Sequence, residues 1–264
     1  MEVKRVKVQD QLELAYVEEG QGEPVLLLHG FCGSSRYFEK FIPLLSGDYR
    51  IIAPDLRGHG QSSVPQGPYA IEAMAADIRG LMEALNIEKA HLLGHSLGGY
   101  ITLAFAEAYP ELLNSFGLIH STGYPDTEEG KAARGKAIEA IRRDGMAPFM
   151  DGLAPKLFAS SHRAARLDAL EETKRIGTET DPEGAASTAA AMRDRPDRTA
   201  VIAETPMPVL LVAGGEDAVI PPEKTFSATG HRITQARLES AGHMSMMETP
   251  RQLAAVVREF LRSV

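Results

Sequence analysis

Tryptophan is absent from this 264-residue sequence, cysteine occurs once, and positive charge is in deficit. With 28 basic against 36 acidic residues, the formal charge is −8, which leaves no excess positive charge to neutralise a phosphate backbone and argues against nucleic acid as a partner. Cys32 alone can form no intrachain disulfide, and structural zinc sites built on cysteine need more than one. The sequence therefore predicts a cytoplasmic protein with no metal site.

Long hydrophobic runs are also missing. No apolar run approaches the 18 residues that a membrane-spanning helix requires, and residues 1–6 alternate between apolar and polar types with no apolar signal segment behind them. Apolar residues nevertheless make up 44% of the chain, which at this length is enough to bury a core. We expect a soluble globular protein without a membrane partner.

The apolar patterning predicts both strands and helices. Two alternating runs, Val3 to Val8 and Leu12 to Val17, flank the polar residues 9–11 and predict a β-hairpin. Later apolar runs do not alternate, as is typical of strands covered on both faces; they begin at Val25, Arg50, Ala90, Phe116 and Val209. Helical stripes lie between several of them, most clearly from Ile71 to Leu85. This order predicts a mostly parallel, doubly wound α/β sheet.

The alternation of strands and helices stops between residues 124 and 205. This stretch contains no convincing strand run, but it has helix-start signals at Asp126, with Glu129 three residues later, and at Asp181, which is followed by Pro182. We expect a helical cap over residues 124–205, inserted into a core formed by residues 1–123 and 206–264.

A glycine-flanked serine is the most specific chemical signal. Ser96 lies between Gly94 and Gly98, after an apolar strand run and before a helix-like segment. A sharp turn from a strand into a helix needs small residues two positions either side of its apex, and it lifts the apex hydroxyl clear of the sheet. Ser96 is therefore the predicted nucleophile; an ordinary glycine-rich turn is the alternative interpretation.

A serine hydroxyl is a weak nucleophile at neutral pH and needs a base, which in turn needs an orienting acid. Asp217 follows the strand run that begins at Val209, where open α/β sheets gather their functional groups, and His243 lies in a loop before the last helix. We predict Asp217 as the acid and His243 as the base. Glu216, in the same loop, is the chief rival for the acid.

A negative oxygen on a tetrahedral intermediate needs fixed N–H donors. Leu97, at the start of the helix after Ser96, is one predicted backbone donor, and Phe31, in the glycine-bearing loop after the run that begins at Val25, is the other. We expect His29 to organise this loop by hydrogen bonding, and Cys32 to be a small buried filler.

Five segments together resemble the α/β-hydrolase fold family over nearly the whole chain. They are His29–Phe31, Asp55–Ser62, Gly94–Gly99, Gly215–Asp217 and Ala241–His243. Within the family the chain is similar to small carboxylesterases and to related enol-lactonase and cofactor-free haloperoxidase-like enzymes. The serine at the elbow departs from haloalkane dehalogenases and epoxide hydrolases, which carry aspartate there. Leu97 departs from the tryptophan usual after the serine in proline iminopeptidases, which argues against peptidase activity.

The substrate pocket has apolar candidates but no polar pattern that selects a substrate. Phe149, Leu153, Phe158 and Met244 are candidates to line an apolar acyl or alcohol pocket, and they serve equally well as core joining the cap to the sheet. Both interpretations stay open.

The predicted function is hydrolysis of small-molecule carboxylic esters with short to medium acyl chains, through an acyl-enzyme and without a cofactor. Two alternatives stay open. One is a lactonase or C–C bond hydrolase that uses the same triad, and the other is a hydrolase-like binding or receptor module with little turnover.

Overall fold

A computed structural model describes residues 1–9 and 12–264, and within them the chain forms one sheet of eight strands. The strands are β1 (Val3–Gln9), β2 (Leu12–Glu19), β3 (Pro24–Leu28), β4 (Arg50–Pro54), β5 (Ala90–His95), β6 (Leu113–Ile119), β7 (Val209–Gly214) and β8 (Ile233–Leu238). Their spatial order is β1-β2-β4-β3-β5-β6-β7-β8. The crossovers between β3, β4 and β5 place the ends of β3, β5, β6 and β7 side by side.

The N-terminal hairpin is confirmed. β1 pairs antiparallel with β2, with Val3 opposite Val17 and Val6 opposite Leu14. The predicted turn falls on Asp10 and Gln11, which lie outside the described residues. β2 pairs antiparallel with β4, and every later neighbour in the sheet is parallel, so the predicted mostly parallel sheet is confirmed as well.

Both faces of the central strands are covered, which explains their unbroken apolar runs. Along β3, Val25 and Leu27 point into one hydrophobic core while Leu26 and Leu28 point into the other, because successive side chains of a strand alternate between its faces. The described helices are α1 (Ile71–Ala84), α2 (Leu97–Ala108), α3 (Glu128–Asp144), α4 (Met146–Leu157), α5 (Leu167–Thr178), α6 (Pro182–Arg193), α7 (Thr199–Glu204), α8 (Pro222–Thr225), α9 (Ser245–Glu248) and α10 (Pro250–Arg262).

Helices α3 to α7 all lie between β6 and β7 in the sequence. The predicted start of α6 is confirmed, because the Asp181 side chain accepts hydrogen bonds from two backbone N–H groups of the first turn. The predicted start at Asp126 is wrong by one residue: Thr127 caps α3, and the Asp126 carboxylate pairs with Arg134 and Arg195 instead. The division into a cap over 124–205 and a two-part core stays a prediction.

Across the two described stretches, 1–9 and 12–264, no helix combines the length and the apolar character needed to cross a membrane.

Candidate active site

Ser96 occupies the apex of a sharp turn between β5 and α2. Its φ of 52° is in the left-handed region, which residues other than glycine rarely adopt. A Cβ atom on Gly94 would lie 2.2 Å from the carbonyl oxygen of Gly98, and one on Gly98 would lie 2.3 Å from that of Leu28. The turn is this tight only because both positions are glycine. The strand, turn and helix expected around Ser96 are therefore present.

The loops after β7 and β8 bring Asp217 and His243 together. His243 Nδ1 donates to Asp217 Oδ2 at 2.8 Å, while the other carboxylate oxygen accepts the backbone N–H groups of Val219 and Ile220 at 2.8 and 2.9 Å. Burial alone would raise the pKa of Asp217, but the charge of His243 and the hydrogen bonds hold it well below its ordinary value. An ionised carboxylate only accepts, so Nδ1 of His243 carries the proton and Nε2 is left as a base.

The rival acid, Glu216, faces elsewhere. Its carboxylate accepts the backbone N–H of Ser161 at 3.1 Å and the hydroxyl of Ser160 at 3.2 Å, and it also accepts the Ser161 hydroxyl. Glu216 therefore ties the loop after β7 to the segment that follows α4, and of the two candidates Asp217 is the one whose carboxylate contacts His243.

A second histidine shares the Asp217 carboxylate. His120 directly follows β6 with a φ of 51°, is fully buried, and donates from Nδ1 to Asp217 Oδ2 at 3.2 Å. Burial lowers the pKa of His120, so the ring is neutral and its Nε2 accepts the Ser245 hydroxyl at 2.7 Å. Sequence analysis did not predict this contact, although a polar residue at the carboxyl end of a central strand is a signal that points to it.

Two further residues hold the His243 loop. The buried Glu248 carboxylate accepts the backbone N–H groups of Gly242, Met244 and Ala159 at 2.9, 3.1 and 2.8 Å. His95 Nε2 donates to the carbonyl oxygen of His243 at 2.8 Å, and burial lowers the pKa of His95 well below its ordinary value. The backbone on both sides of His243 is therefore fixed. No sequence motif marked either contact.

The two predicted backbone donors belong to different parts of the chain. Leu97 is the first residue of α2, where N–H groups lack partners within the helix. Phe31 lines the cavity that Ser96 also lines, in a loop held by His29, whose Nδ1 donates to Gly30 O at 2.8 Å and whose Nε2 accepts the Leu56 N–H at 2.9 Å. Burial lowers the pKa of His29 to about 4, so this neutral tautomer persists.

A cavity of about 250 Å³ opens over Ser96 and His243. Of the four predicted pocket residues, Leu153 and Met244 line it. Phe149 and Phe158 lie outside its lining. Phe149 packs edge-on against the Phe31 ring with centroids 6.1 Å apart, and Phe158 is buried in the core where the chain leaves α4, so these two side chains pack the protein rather than face the cavity.

Another part of the cavity wall is polar and was not predicted. It consists of Tyr100, Thr122, Tyr124, Asp126, Arg134, Arg195 and Lys224. These residues come from α2, the loop after β6, α3, the segment after α6, and α8, so only the folded chain brings them together. In the sequence, the charged residues of this set cannot be told apart from charged residues on exposed helix faces.

Among the described residues, one buried group has the donors of a metal site: His120, Asp217 and His243, with ligand atoms within 4.8 Å of one another. Two hydrogen bonds already join these atoms, from each histidine Nδ1 to Asp217 Oδ2. The donor set is thus engaged within itself, as expected of an orienting network around a base.

Comparison with known proteins identifies the family. The family described as alpha/beta hydrolase fold matches residues 23–134. A thermophilic esterase from Thermogutta terrifontis, determined with malate bound, is 32% identical; the superposition covers 100% of this chain and 99% of the esterase, with a TM-score of 0.93.

Two curated relatives are similar in sequence to most of the chain. The dihydrolipoyllysine-residue acetyltransferase component of the acetoin cleaving system from Pseudomonas putida is 32% identical over 91% of this chain, which spans 64% of that protein's length. Lipase 3 from Moraxella sp. (strain TA144) is 28% identical over 98% of this chain and 84% of the lipase. The chain therefore belongs to the α/β-hydrolase fold family, and within it to the esterase-like hydrolases.

Proposed function

We propose that the protein is a serine hydrolase that cleaves small carboxylic esters through an acyl-enzyme intermediate. One observation carries the proposal: Ser96, at the apex of its strained turn, and His243, held by Asp217, line the same cavity. A nucleophile and a base with an orienting acid are the minimum that ester hydrolysis needs.

Each residue has a defined step. His243 Nε2 takes the proton of the Ser96 hydroxyl as its oxygen attacks the ester carbonyl, and the N–H groups of Leu97 and Phe31 stabilise the oxyanion. The imidazolium then gives its proton to the leaving alkoxide, so that the alcohol departs and the acyl group stays on Ser96. Water, deprotonated by His243, then attacks the acyl-enzyme. As the bond between the acyl group and the Ser96 oxygen breaks, the imidazolium returns this proton to Ser96, and the carboxylic acid is released. Asp217 stays ionised throughout and stabilises the imidazolium. No step requires a cofactor.

The size of the cavity supports short to medium acyl chains. Its volume of about 250 Å³ lies just below the range of small-molecule sites, which is roughly 300–1,000 Å³. Each added methylene contributes about 0.8 kcal/mol only while it is buried, so chains that outgrow the cavity gain nothing. The proposal therefore favours an esterase with a small pocket over a lipase. A cytoplasmic location stays a prediction.

Active-site titration tests the nucleophile. We expect a fluorophosphonate to label Ser96 and Ser96→Ala to lose both the labelling and about 10⁴–10⁶-fold in turnover. Ser263→Ala is the matched control, because Ser263 lies just after α10, outside the cavity lining, and its hydroxyl donates to the Phe260 carbonyl. A Ser96→Ala protein that keeps more than about a tenth of the activity contradicts the mechanism.

A substrate panel separates the related reactions. Linear esters, lactones and vinylogous diketones are compared by kcat/KM, and the proposal expects linear esters to be the best. Lactones or diketones as the best class would assign the same triad to a lactonase or a C–C bond hydrolase. Labelling of Ser96 without turnover of any class would indicate a binding module.

A further inference from the structure

The polar part of the cavity wall carries surplus positive charge. Three cationic side chains line it, Arg134, Arg195 and Lys224, against one described acidic lining residue, Asp126. Asp126 is shared: Arg195 Nη1 lies 2.7 Å from Oδ1, and Arg134 Nε lies 3.1 Å from Oδ2. One carboxylate cannot neutralise two guanidinium groups, so the cluster of these three residues is cationic even before Lys224 is added.

Arg195 has a structural role in this cluster. Its guanidinium lies 3.9 Å from the centroid of the Tyr100 ring and donates to the carbonyl oxygens of Met192 and Tyr124 at 2.6 and 3.0 Å. Only 5% of the side chain is exposed. These contacts engage both terminal amino groups and fix the position of the buried charge, since a charge removed from water is tolerated only when it is paired and hydrogen-bonded. Nε of Arg195 is buried and has no hydrogen-bond partner among the described residues. With its terminal amino groups engaged, Arg195 holds Asp126 in place.

Arg134 is different because it still has donors to offer. The side chain is 27% exposed and reaches Asp126 with Nε alone; within the described part of the chain, its two terminal amino groups meet no hydrogen-bond acceptor. These groups form the planar fork that binds a carboxylate through two parallel hydrogen bonds. Arg134 therefore presents an unused carboxylate-binding edge in a cavity that it shares with Ser96.

Lys224 adds a second free charge. Its side chain is exposed, and no described acidic residue forms an ion pair with it. Its own backbone carbonyl accepts the hydroxyl of Thr122, another lining residue, which fixes α8 against the loop after β6. Lys224 and Arg134 line the same cavity, and their two charges together attract anions over a range that salt screening limits.

We propose that the substrate is an ester that itself carries a carboxylate, which Arg134 binds through its terminal amino groups with Lys224 nearby, while Ser96 attacks the ester carbonyl. This inference rests on the proposed ester hydrolysis and names its substrate class. The ester is then a monoester of a small dicarboxylic acid, or the ester of a hydroxy acid, according to whether the charge lies on the acyl or the alcohol side.

Two isosteric pairs of esters test it. On the acyl side, methyl hydrogen succinate is compared with methyl 4-oxopentanoate, which replaces the carboxylate by a neutral methyl ketone. On the alcohol side, acetoxyacetate is compared with acetoxyacetone. We expect the anionic member of at least one pair to have a kcat/KM about tenfold higher or more, as a charge-assisted, bidentate contact provides.

Variants then assign the preference to Arg134. Arg134→Gln should reduce the anionic-to-neutral ratio of kcat/KM by about tenfold or more, mainly through KM. Arg142→Gln is the matched control: Arg142 lies on the same helix, pairs with Glu183 at the surface and does not line the cavity, so its loss should leave both members of each pair unchanged. Calorimetry on Ser96→Ala measures binding of methyl hydrogen succinate directly, with and without Arg134→Gln.

Two kinetic results would overturn the inference. One is a wild-type enzyme that hydrolyses anionic esters no better than their neutral partners, and the other is an Arg134→Gln protein that keeps the same ratio as Arg142→Gln. Hydrolysis of the neutral esters that Ser96→Ala abolishes would leave the proposed function intact in either case. If none of the four esters is hydrolysed, the proposed function fails, and equal calorimetric affinity with and without Arg134→Gln overturns the anion site separately.

Discussion

Loss of the second histidine on Asp217 should weaken catalysis without abolishing it. Replacing His120 by phenylalanine keeps a ring of similar size but removes the 3.2 Å hydrogen bond to Asp217 and the 2.7 Å hydrogen bond from Ser245. Asp217 then keeps the hydrogen bond from His243 and the two backbone N–H groups on its other oxygen. Asp217 therefore remains in place, but its carboxylate accepts one hydrogen bond fewer.

The size of the effect follows from the lost contact. A hydrogen bond to a charged group contributes about 1.5–3 kcal/mol, and each 1.36 kcal/mol is tenfold in rate, so we expect kcat/KM to fall by roughly 10- to 150-fold. Removing the charge altogether with Asp217→Asn should cost about 10⁴-fold. The loss of a hydrogen bond also raises the pKa of Asp217 towards its ordinary value.

A rescue variant separates this positioning role from a merely structural one. His120→Asn is that variant, because asparagine tolerates a φ of 51° and its amide can donate to Asp217. We expect His120→Asn to recover part of the kcat/KM that His120→Phe loses. Equal activity in the two variants, or activity loss that merely follows the loss of thermal stability in both, would refute the reasoning.

Three other predictions address the acid, the pocket and stability. Asp217→Asn should lower turnover far more than Glu216→Gln, because Glu216 contacts Ser160 and Ser161 instead of His243; steady-state kinetics at neutral pH show the order, and the reverse order assigns the role to Glu216. A 4-nitrophenyl ester series should have its highest kcat/KM at roughly two to eight acyl carbons, with no rate increase above the solubility limit; a long-chain optimum would indicate a lipase. Burial lowers the pKa of His29 to about 4 and that of His59 to about 3. Below about pH 6.5 the unfolded chain therefore binds protons that the folded protein does not. Each histidine should then reduce the free energy of unfolding by about 1.4 kcal/mol per pH unit as pH falls. Urea unfolding from pH 7.5 to 5 measures this slope, and a flat profile contradicts it.

The sequence predicts the strands and the glycine-flanked turn at Ser96 because those signals are local. A strand buried on both faces needs an apolar run whatever surrounds it, and a sharp turn at Ser96 needs Gly94 and Gly98 beside it. The order of loops after parallel strands then follows from topology, so residues far apart in sequence can be expected at one edge of the sheet.

The sequence does not decide between neighbouring residues, because that choice depends on contacts distant in the sequence. Glu216 and Asp217 are adjacent in one loop, and they differ because Glu216 contacts Ser160 and Ser161, which lie more than fifty positions earlier in the chain. The pocket shows the same limit. Phe149 and Leu153 lie one turn apart on α4, yet of these two only Leu153 lines the cavity. Phe149 packs against the Phe31 ring instead, and this contact is formed only in the folded protein.

Backbone strain is the feature that unites the predicted and the missed residues of the site. Among the described residues, four that are not glycine have positive φ: Cys32, Asn86, Ser96 and His120. Asn86 follows the C-terminal cap of α1, where a left-handed residue is an ordinary way to end a helix. The other three follow β3, β5 and β6, which are neighbours in the sheet.

At each of these three positions the left-handed backbone turns the chain sharply. The residues that follow therefore project over the edge of the sheet. Such conformations persist only where the surroundings enforce them. Here the Ser96 N–H donates to Ile119 O at 3.0 Å and the His120 N–H donates to Val212 O at 2.8 Å, so each strained residue is held by the strand next to its own. Neighbouring strands must be in register before either bond can form. The backbone position of Ser96 therefore depends on the pairing of β5 with β6, and that of His120 depends on the pairing of β6 with β7.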